Sequence, residues 1–338
     1  MRVGIVDCGT NTVRLLIADG SVQVADETRR VADGRASSVG DSPVLTDVVR
    51  VLRFVRLGQG VDATHRFHPD ALARTFAALD DFAGLIDEYG PLDRLRFLAT
   101  SAARDATNRE EFFVGVEQRL GVIPDIIAGD EEARLSYLGA LAGGPVADGS
   151  VLVMDIGGGS TELICGDAAG ALTAARSFDI GSVRLRERYL HDDPPTSAQV
   201  AAAREYVASL VDSGEVPLAG VGTFIGVAGT NTSLSAMRQG LVTYDSARVH
   251  NSSLMPDEVR ALASELLASS VASVRQRYPF LEPMRAEVIC AGALICDEVA
   301  ERVRCAMLVR ETDILDGAAL DLLRPAPKES AEAASTLS

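Results

Sequence analysis

Several features that commonly announce a function are missing from this chain of 338 residues. No apolar run reaches the roughly 18 residues that a membrane-crossing helix needs. No basic segment precedes an apolar one at the amino terminus, and Met1 leads almost directly into a strand-like run. A soluble, cytoplasmic protein without a membrane partner is the expectation. Positive charge is short: 32 Lys and Arg face 48 Asp and Glu, a formal net charge of −16. A nucleic-acid polymer, normally gripped through a basic face, is therefore an unsuitable partner. The cysteines (Cys8, Cys165, Cys290, Cys296, Cys305) are odd in number and include no CxxC pair, which suits reduced core thiols better than disulfides or zinc. His65 and His68 lie three apart, but Pro69 follows and no further ligand is evident, so no metal site is expected there. No GxxxxGK[ST] loop occurs, and GVGTFIG lacks the GxGxxG spacing, so neither a P-loop nor a dinucleotide fold is indicated.

What is present is a folded-protein composition, 47% hydrophobic and 24% charged, over a length that suits two domains. Strand-like and helix-like stretches alternate, which indicates an α/β fold. Residues 69–88 place Leu72, Phe76, Leu79, Phe82, Leu85 and Ile86 at helical spacing. RLRFLATSA (94–102) reads as a strand running into a loop, and a helix follows from about Asp130 to before Gly143. AEVICAGALICDEVAERV (286–303) reads as strand, turn and helix, and a last helix lies near 313–323. The polar stretch from Asp33 to Pro43 reads as a mobile loop. The small, polar tail 325–338 reads as disordered.

Two segments share one plan. VGIVDCGTNTVRLLI (3–17) and VLVMDIGGGSTELI (151–164) each run from an apolar strand to an aspartate, then a cluster of Gly, Thr, Ser or Asn, then a second apolar strand. Asp7 and Asp155 are 148 residues apart, so the chain reads as two similar halves: 1–125 with the first hairpin, and 126–324 with the second. The last helix is a candidate to pack back on the first half. The hairpin composition has a chemical reading. Glycine lets backbone N–H groups approach a phosphate closely, and Thr10, Asn11, Thr12, Ser160 and Thr161 add donors. An aspartate ahead of the turn would repel a bare phosphate, but suits Mg²⁺, which bridges carboxylates and phosphate oxygens. The alternative for either copy alone is an ordinary tight turn capped by its Asp.

The two hairpins resemble the phosphate loops of the actin, Hsp70 and sugar-kinase superfamily. More narrowly, DCGTNTVRLLI, ATSAARDATN, GDEEARLSYLGA and DIGGGSTELI resemble the exopolyphosphatase and guanosine pentaphosphate phosphatase (Ppx/GppA) family. VRLGQGV (55–61), DIGSVRL (179–185) and AGT (228–230) fit it too. The resemblance runs to about residue 323 and implies the short two-domain form: two ribonuclease H-like, actin-like domains with a cleft between them. It implies an exopolyphosphatase that hydrolyses the terminal phosphate of inorganic polyphosphate with Mg²⁺ (Mn²⁺ as a substitute) and a Glu-activated water, and a homodimer. Guanosine pentaphosphate as substrate is the first alternative, and a non-catalytic alarmone or polyphosphate sensor the second. A nucleotide-dependent kinase on the same scaffold is disfavoured because nothing suggests an acceptor site.

Residue roles follow from the resemblance. Glu132 matches the general base, with Glu131 its nearest rival; on spacing alone, both are explained as acids favoured in the first turn of a helix. Arg104 matches the substrate-binding arginine; the structural alternative is an Arg104–Asp105 surface pair or a polar helix N-terminal region. Asp7 and Asp155 are assigned to the metal. Glu162 is assigned to orienting water or metal, with a cross-strand structural role open. Asn11, Thr12, Gly158, Gly159 and Ser160 would hold the terminal phosphate, and Arg14 is left unassigned. Gly229 and Thr230 sit where this superfamily often approaches a nucleotide. Arg184, Arg186 and Arg188 are expected on a solvated helix face. Arg50, Arg53 and Arg56 are candidates for a basic channel that would admit a long polyanion, and the 33–48 segment for altering access to the cleft.

Overall fold

The protein is described by a computed structural model over residues 1–22, 43–147 and 149–324. Strands β1 (Arg2–Cys8), β2 (Thr12–Val22) and β3 (Pro43–Phe54) form an antiparallel meander. Helices α1 (Val61–Thr64) and α2 (Pro69–Tyr89) lead to β4 (Arg94–Ala99), which pairs parallel with β1. Helices α3 (Ser101–Asp105) and α4 (Arg109–Leu120) precede the short β5 (Asp125–Ile126). The sheet order is β3-β2-β1-β4-β5.

After α5 (Gly129–Ala142) the plan repeats. Strands β6 (Ser150–Ile156), β7 (Thr161–Asp167) and β8 (Leu172–Phe178) form a second meander. Helices α6 (Ser182–Tyr189) and α7 (Ser197–Ser213) bring the chain to β9 (Thr223–Val227), parallel to β6. There follow α8 (Ala228–Arg238), α9 (Ser246–Val249), β10 (Ser252–Leu254), α10 (Pro256–Leu267), α11 (Val271–Arg277), α12 (Pro283–Ala286), α13 (Ile289–Val303), β11 (Met307–Val309) and α14 (Ile314–Leu323). The second sheet runs β10-β11-β9-β6-β7-β8, the order of the first with β10 added at one edge.

The central strands are buried on both faces. Every residue of β1 from Val3 to Cys8, and of β6 from Val151 to Ile156, is buried, which is why each reads as a continuous apolar run rather than an alternating one. The edge strands were less legible. β3 overlaps the stretch read as loop, and β8, largely exposed, carries no apolar pattern. Of the expected loop, residues 33–42 lie outside the described residues, as do 325–338 of the tail, whereas Pro43 opens β3. The segment 286–303 contains no strand: α13 is buried on nearly all sides, and a helix apolar all round looks like a buried strand over a short window. The small-residue loop after β4 is in fact the helix α3.

Helix α14 packs on α5 and on β1 and β2, in a core of Val3, Ile5, Leu16, Leu135, Ile314, Leu315 and Ala318. The crossing with α5 brings backbone onto backbone. A Cβ at Gly139 would lie 1.7 Å from the Asp313 carbonyl oxygen, and one at Gly317 would lie 1.9 Å from that of Leu135. This contact fixes α5, and α5 carries Glu132.

Candidate active site

The two hairpin turns are built identically. Gly9 N–H donates to the Thr12 carbonyl at 2.9 Å, and Gly157 N–H donates to the Ser160 carbonyl at 3.0 Å. The residues across the ladder differ. Asp7 stands opposite Arg14, and Asp155 stands opposite Glu162. One hairpin thus brings an acid with a base, the other two acids.

The turns touch. A Cβ on Gly158 would come within 3.0 Å of Thr10 Cβ, and one on Gly159 within 2.4 Å of Thr10 Oγ1 and 2.6 Å of Ser101 Oγ. Glycine at both positions is what lets the second turn close on the first. Between them lies a cavity of about 70 Å³ lined by Asp7, Asn11, Thr12, Glu132, Asp155 and Ser160 with both glycines. Of the sequence-predicted residues only Arg104 and Glu162 are outside this wall, and both reach it through neighbours.

Helix α5 supplies the third side. Glu132 lies in its first turn, and Ser136, one turn on, donates from Oγ to Asp155 Oδ2 at 2.7 Å. The i,i+4 spacing sets both on one face. Arg104, near the end of α3, donates from Nη1 to Glu132 Oε2 at 2.7 Å and to the Ile127 carbonyl at 2.9 Å. Its partner is Glu132 and not a surface Asp105. Glu131 instead pairs with Arg134, at 2.8 Å, and does not line the cavity. Glu162 is 1% exposed and accepts from Ser177 Oγ at 2.7 Å.

Four acids therefore share one buried neighbourhood, and each has its pKa raised. Burial is the first cause in every case. It lifts Glu132 from 4.5 to about 7 against the opposing pull of Arg104, with Asp155 and Asp7 adding repulsion. Asp155 rises to about 6, opposed mainly by the Ser136 hydrogen bond. Asp7 is raised despite Arg14, and Glu162 well above its ordinary range by burial and then by Glu132. Buried carboxylates in such company call for positive charge. Among the described residues, Asp7 Oδ1, Thr10 Oγ1 and both amide atoms of Asn11 are buried without a hydrogen-bond partner, orphans that a bound group would satisfy.

Two arginines escaped the sequence assignment. Arg14 donates from Nη2 to Asp7 Oδ2 at 2.6 Å and also pairs with Asp313, the N-cap residue of α14. Its place opposite Asp7 was legible from the hairpin register. Arg285, on α12, had no sequence signal. It is buried, stacks over Phe54 with its guanidinium carbon 5.5 Å from the ring centroid, and packs against Gly229. Among the described residues it has no acidic partner, and burial, with Arg14 next, lowers its pKa to about 10. Such a cation at a cavity wall is a ready anion site.

Other arginines moved from their expected places. Arg184 is buried and ties α6 to α3 and α1 through Asp105, Ser101 and Asp62, so it is no solvated-face residue; Arg188 also binds Asp62. Arg50, Arg53 and Arg56 do not line one channel. A bulge at Val48 brings Asp47 to the side of Arg50, which also binds Asp316, whereas alternation sends Arg53 to Asp81, and Arg56, beyond the strand, pairs with Glu287. Thr230 is fully buried, and Gly229 reaches the cavity wall.

Comparison with known proteins decides the family. The model of the Ppx/GppA phosphatase family matches residues 33–313. The chain belongs to that family. It is 42% identical over 336 residues to Exopolyphosphatase 2 of Mycobacterium tuberculosis, covering 95% of this chain and 98% of that one. Exopolyphosphatase 1 of Mycobacterium bovis is 28% identical, over 88% of this chain and 80% of the relative. Among solved structures, an exopolyphosphatase-like protein superposes with a TM-score of 0.83 at 38% identity, covering 95% and 98% of the two chains. The Aquifex aeolicus member of the Ppx/GppA family superposes with a TM-score of 0.74 at 28% identity, covering 95% and 97%. The α/β architecture of two actin-like domains, and membership of a phosphatase family, stand as the sequence implied.

Proposed function

We propose that this protein is an exopolyphosphatase that releases the terminal phosphate of inorganic polyphosphate as orthophosphate. One observation carries the reading: the two glycine turns meet around a cavity of about 70 Å³ with Glu132 on its wall. That space is large enough for one phosphoryl group with water beside it. The name shared by the mycobacterial relatives supports the same substrate.

Asn11, Thr12, Gly158, Gly159 and Ser160 hold the terminal phosphate through backbone N–H and side-chain donors. Glu132 accepts the proton of a water as its oxygen bonds to phosphorus and the anhydride P–O bond breaks. A pKa of about 7 suits a group that must be ionised yet take a proton near neutrality. Arg104 aims the Glu132 carboxylate, and Glu162, held by Ser177 beside the second turn, orients water or metal. Arg285 faces the leaving side and meets the charge of the next phosphate. The donor set fits Mg²⁺, with Mn²⁺ as substitute: Asp7 and Asp155 are hard oxygen ligands, and Asp7 Oδ1 lacks a partner. Among the described residues no three metal-ligating side chains already form a cage. Bound there, Mg²⁺ would neutralise charge on the transferring phosphoryl group.

The test is orthophosphate release by Glu132→Gln. Turnover should fall by about 10²-fold or more, with substrate binding retained. Unchanged release would remove Glu132 from the chemistry. Guanosine pentaphosphate remains the second substrate, because Phe54, Tyr244 and Phe280 line the adjoining chamber and offer a base something to stack on. Release rates from polyphosphate and from the guanosine compound, side by side, decide between them. No helix among the described residues is long and apolar enough to cross a membrane. A cytoplasmic homodimer completes the proposal, checked by light scattering of the purified protein and by fractionation of cells.

A further inference from the structure

The phosphate cavity opens into a chamber of about 620 Å³, the two sharing Arg14, Leu52, Ala228, Gly229 and Arg285. A chain whose end fills the small cavity must place its next phosphates in the larger one. Among the described residues its wall is not basic. Arg14, Arg50, Arg285 and Arg310 line it, and so do Asp47, Glu282, Glu311 and Asp313.

Three of the four arginines are already engaged. Arg14 sits between Asp7 and Asp313. Arg50 sits between Asp47 and Asp316. Arg310 is 1% exposed and donates to the carbonyls of Ala140 and Pro145 and to Asn251 Oδ1, so it fastens the end of α5. That leaves Arg285, beside the phosphate cavity, as the cation among the described wall residues with no such partner. Of the acids, Asp47 shares the single charge of Arg50 with Asp316, Glu282 is exposed, and Glu311 binds Tyr244 rather than a cation.

We propose that this chamber limits chain length, with Asp47, Glu282 and Glu311 as specificity-determining residues that favour short polyphosphates over long ones. The proposal rests on the exopolyphosphatase reading above. The second phosphate meets Arg285. Each phosphate beyond it adds negative charge facing carboxylates, and at about 10 Å through partly solvated protein one such repulsion lowers association several-fold. Because the repulsion is electrostatic and solvent-facing, it weakens as salt is raised.

The experiment measures kcat/KM for orthophosphate release from tripolyphosphate and from long-chain polyphosphate at equal concentrations of chain ends. The parent enzyme should prefer tripolyphosphate. In Asp47→Asn/Glu282→Gln that preference should shrink by about tenfold. Glu110→Gln/Glu111→Gln, which removes the same charge from the exposed face of α4, should leave the preference unchanged. Raising salt should narrow the preference of the parent in the same direction as the cavity variant. Equal use of both chains by the parent, or equal narrowing by both variants, overturns the filter while leaving the hydrolase intact. Absence of phosphate release from either chain overturns the hydrolase reading and the filter with it.

Discussion

A carboxyl raised from 4.5 to about 7 by burial makes a definite statement about stability. Below pH 4.5, Glu132 is protonated whether the chain is folded or not, and its ionisation has no effect. Between 4.5 and 7 the unfolded chain releases the proton first, so unfolding is favoured and stability falls as the pH rises. Above 7 the whole penalty is present. The displacement corresponds to about 3 kcal/mol, the pull of Arg104 being already included. Glutamine keeps the shape of the side chain and an oxygen for Arg104, and it cannot ionise. Glu132→Gln should therefore be about 3 kcal/mol more stable than the parent near pH 8.5, and indistinguishable from it near pH 4.5. The assay is urea unfolding followed by circular dichroism in the presence of a chelator. The midpoint should move up by about 1 M at the higher pH. A variant that is equally displaced at both pH values, or less stable at the higher one, would refute the argument that Glu132 is held against its ionisation. The same substitution should cut turnover by about 10²-fold or more, so function and stability are expected to move in opposite directions.

Other outcomes follow from the same geometry. The pH profile of kcat/KM should rise through about 7 on its acid side as Glu132 ionises, and that limb should be missing from the residual activity of Glu132→Gln. Arg285→Gln should raise KM about tenfold or more with a smaller effect on kcat, because a buried cation proposed to meet the second phosphate is removed; unchanged KM would deny it a substrate contact. Gly159→Ala should cost about 1–3 kcal/mol and most of the activity, since the new methyl group meets Thr10 and Ser101. Thermal unfolding and phosphate release on one preparation check both effects. Asp313→Asn should loosen Arg14 from one of its two carboxylates and lower the affinity for Mn²⁺, read by titration calorimetry without substrate; unaltered affinity would separate α14 from the metal site.

How much of the site was legible depends on which interactions are local. The duplicated hairpins could be read because strand, aspartate, turn and strand are contiguous, and the turn chemistry of glycine belongs to the residue itself. Pairing of Asp7 with Arg14 and of Asp155 with Glu162 follows from hairpin register. Choosing Glu132 over Glu131 needed the family resemblance, since both lie in one helical turn. Tertiary packing turns Glu132 towards Arg104 and the cavity, and Glu131 towards Arg134. The edge strands β3 and β8 were hidden because one-sided or exposed strands lose the apolar run that marks β1 and β6.

The sequence by itself determined the α/β class, the repeat, the two glycine turns and their aspartates, because these arise from residues close along the chain. Only the tertiary structure decided that the turns touch, that Arg285 comes to the cavity with no acid beside it among the described residues, and that Arg50, Arg53, Arg184 and Arg188 are bound by acids. Such placements depend on packing between segments far apart in sequence. Charge counted along a chain carries no information about which opposite charge will lie next to it once the chain has folded.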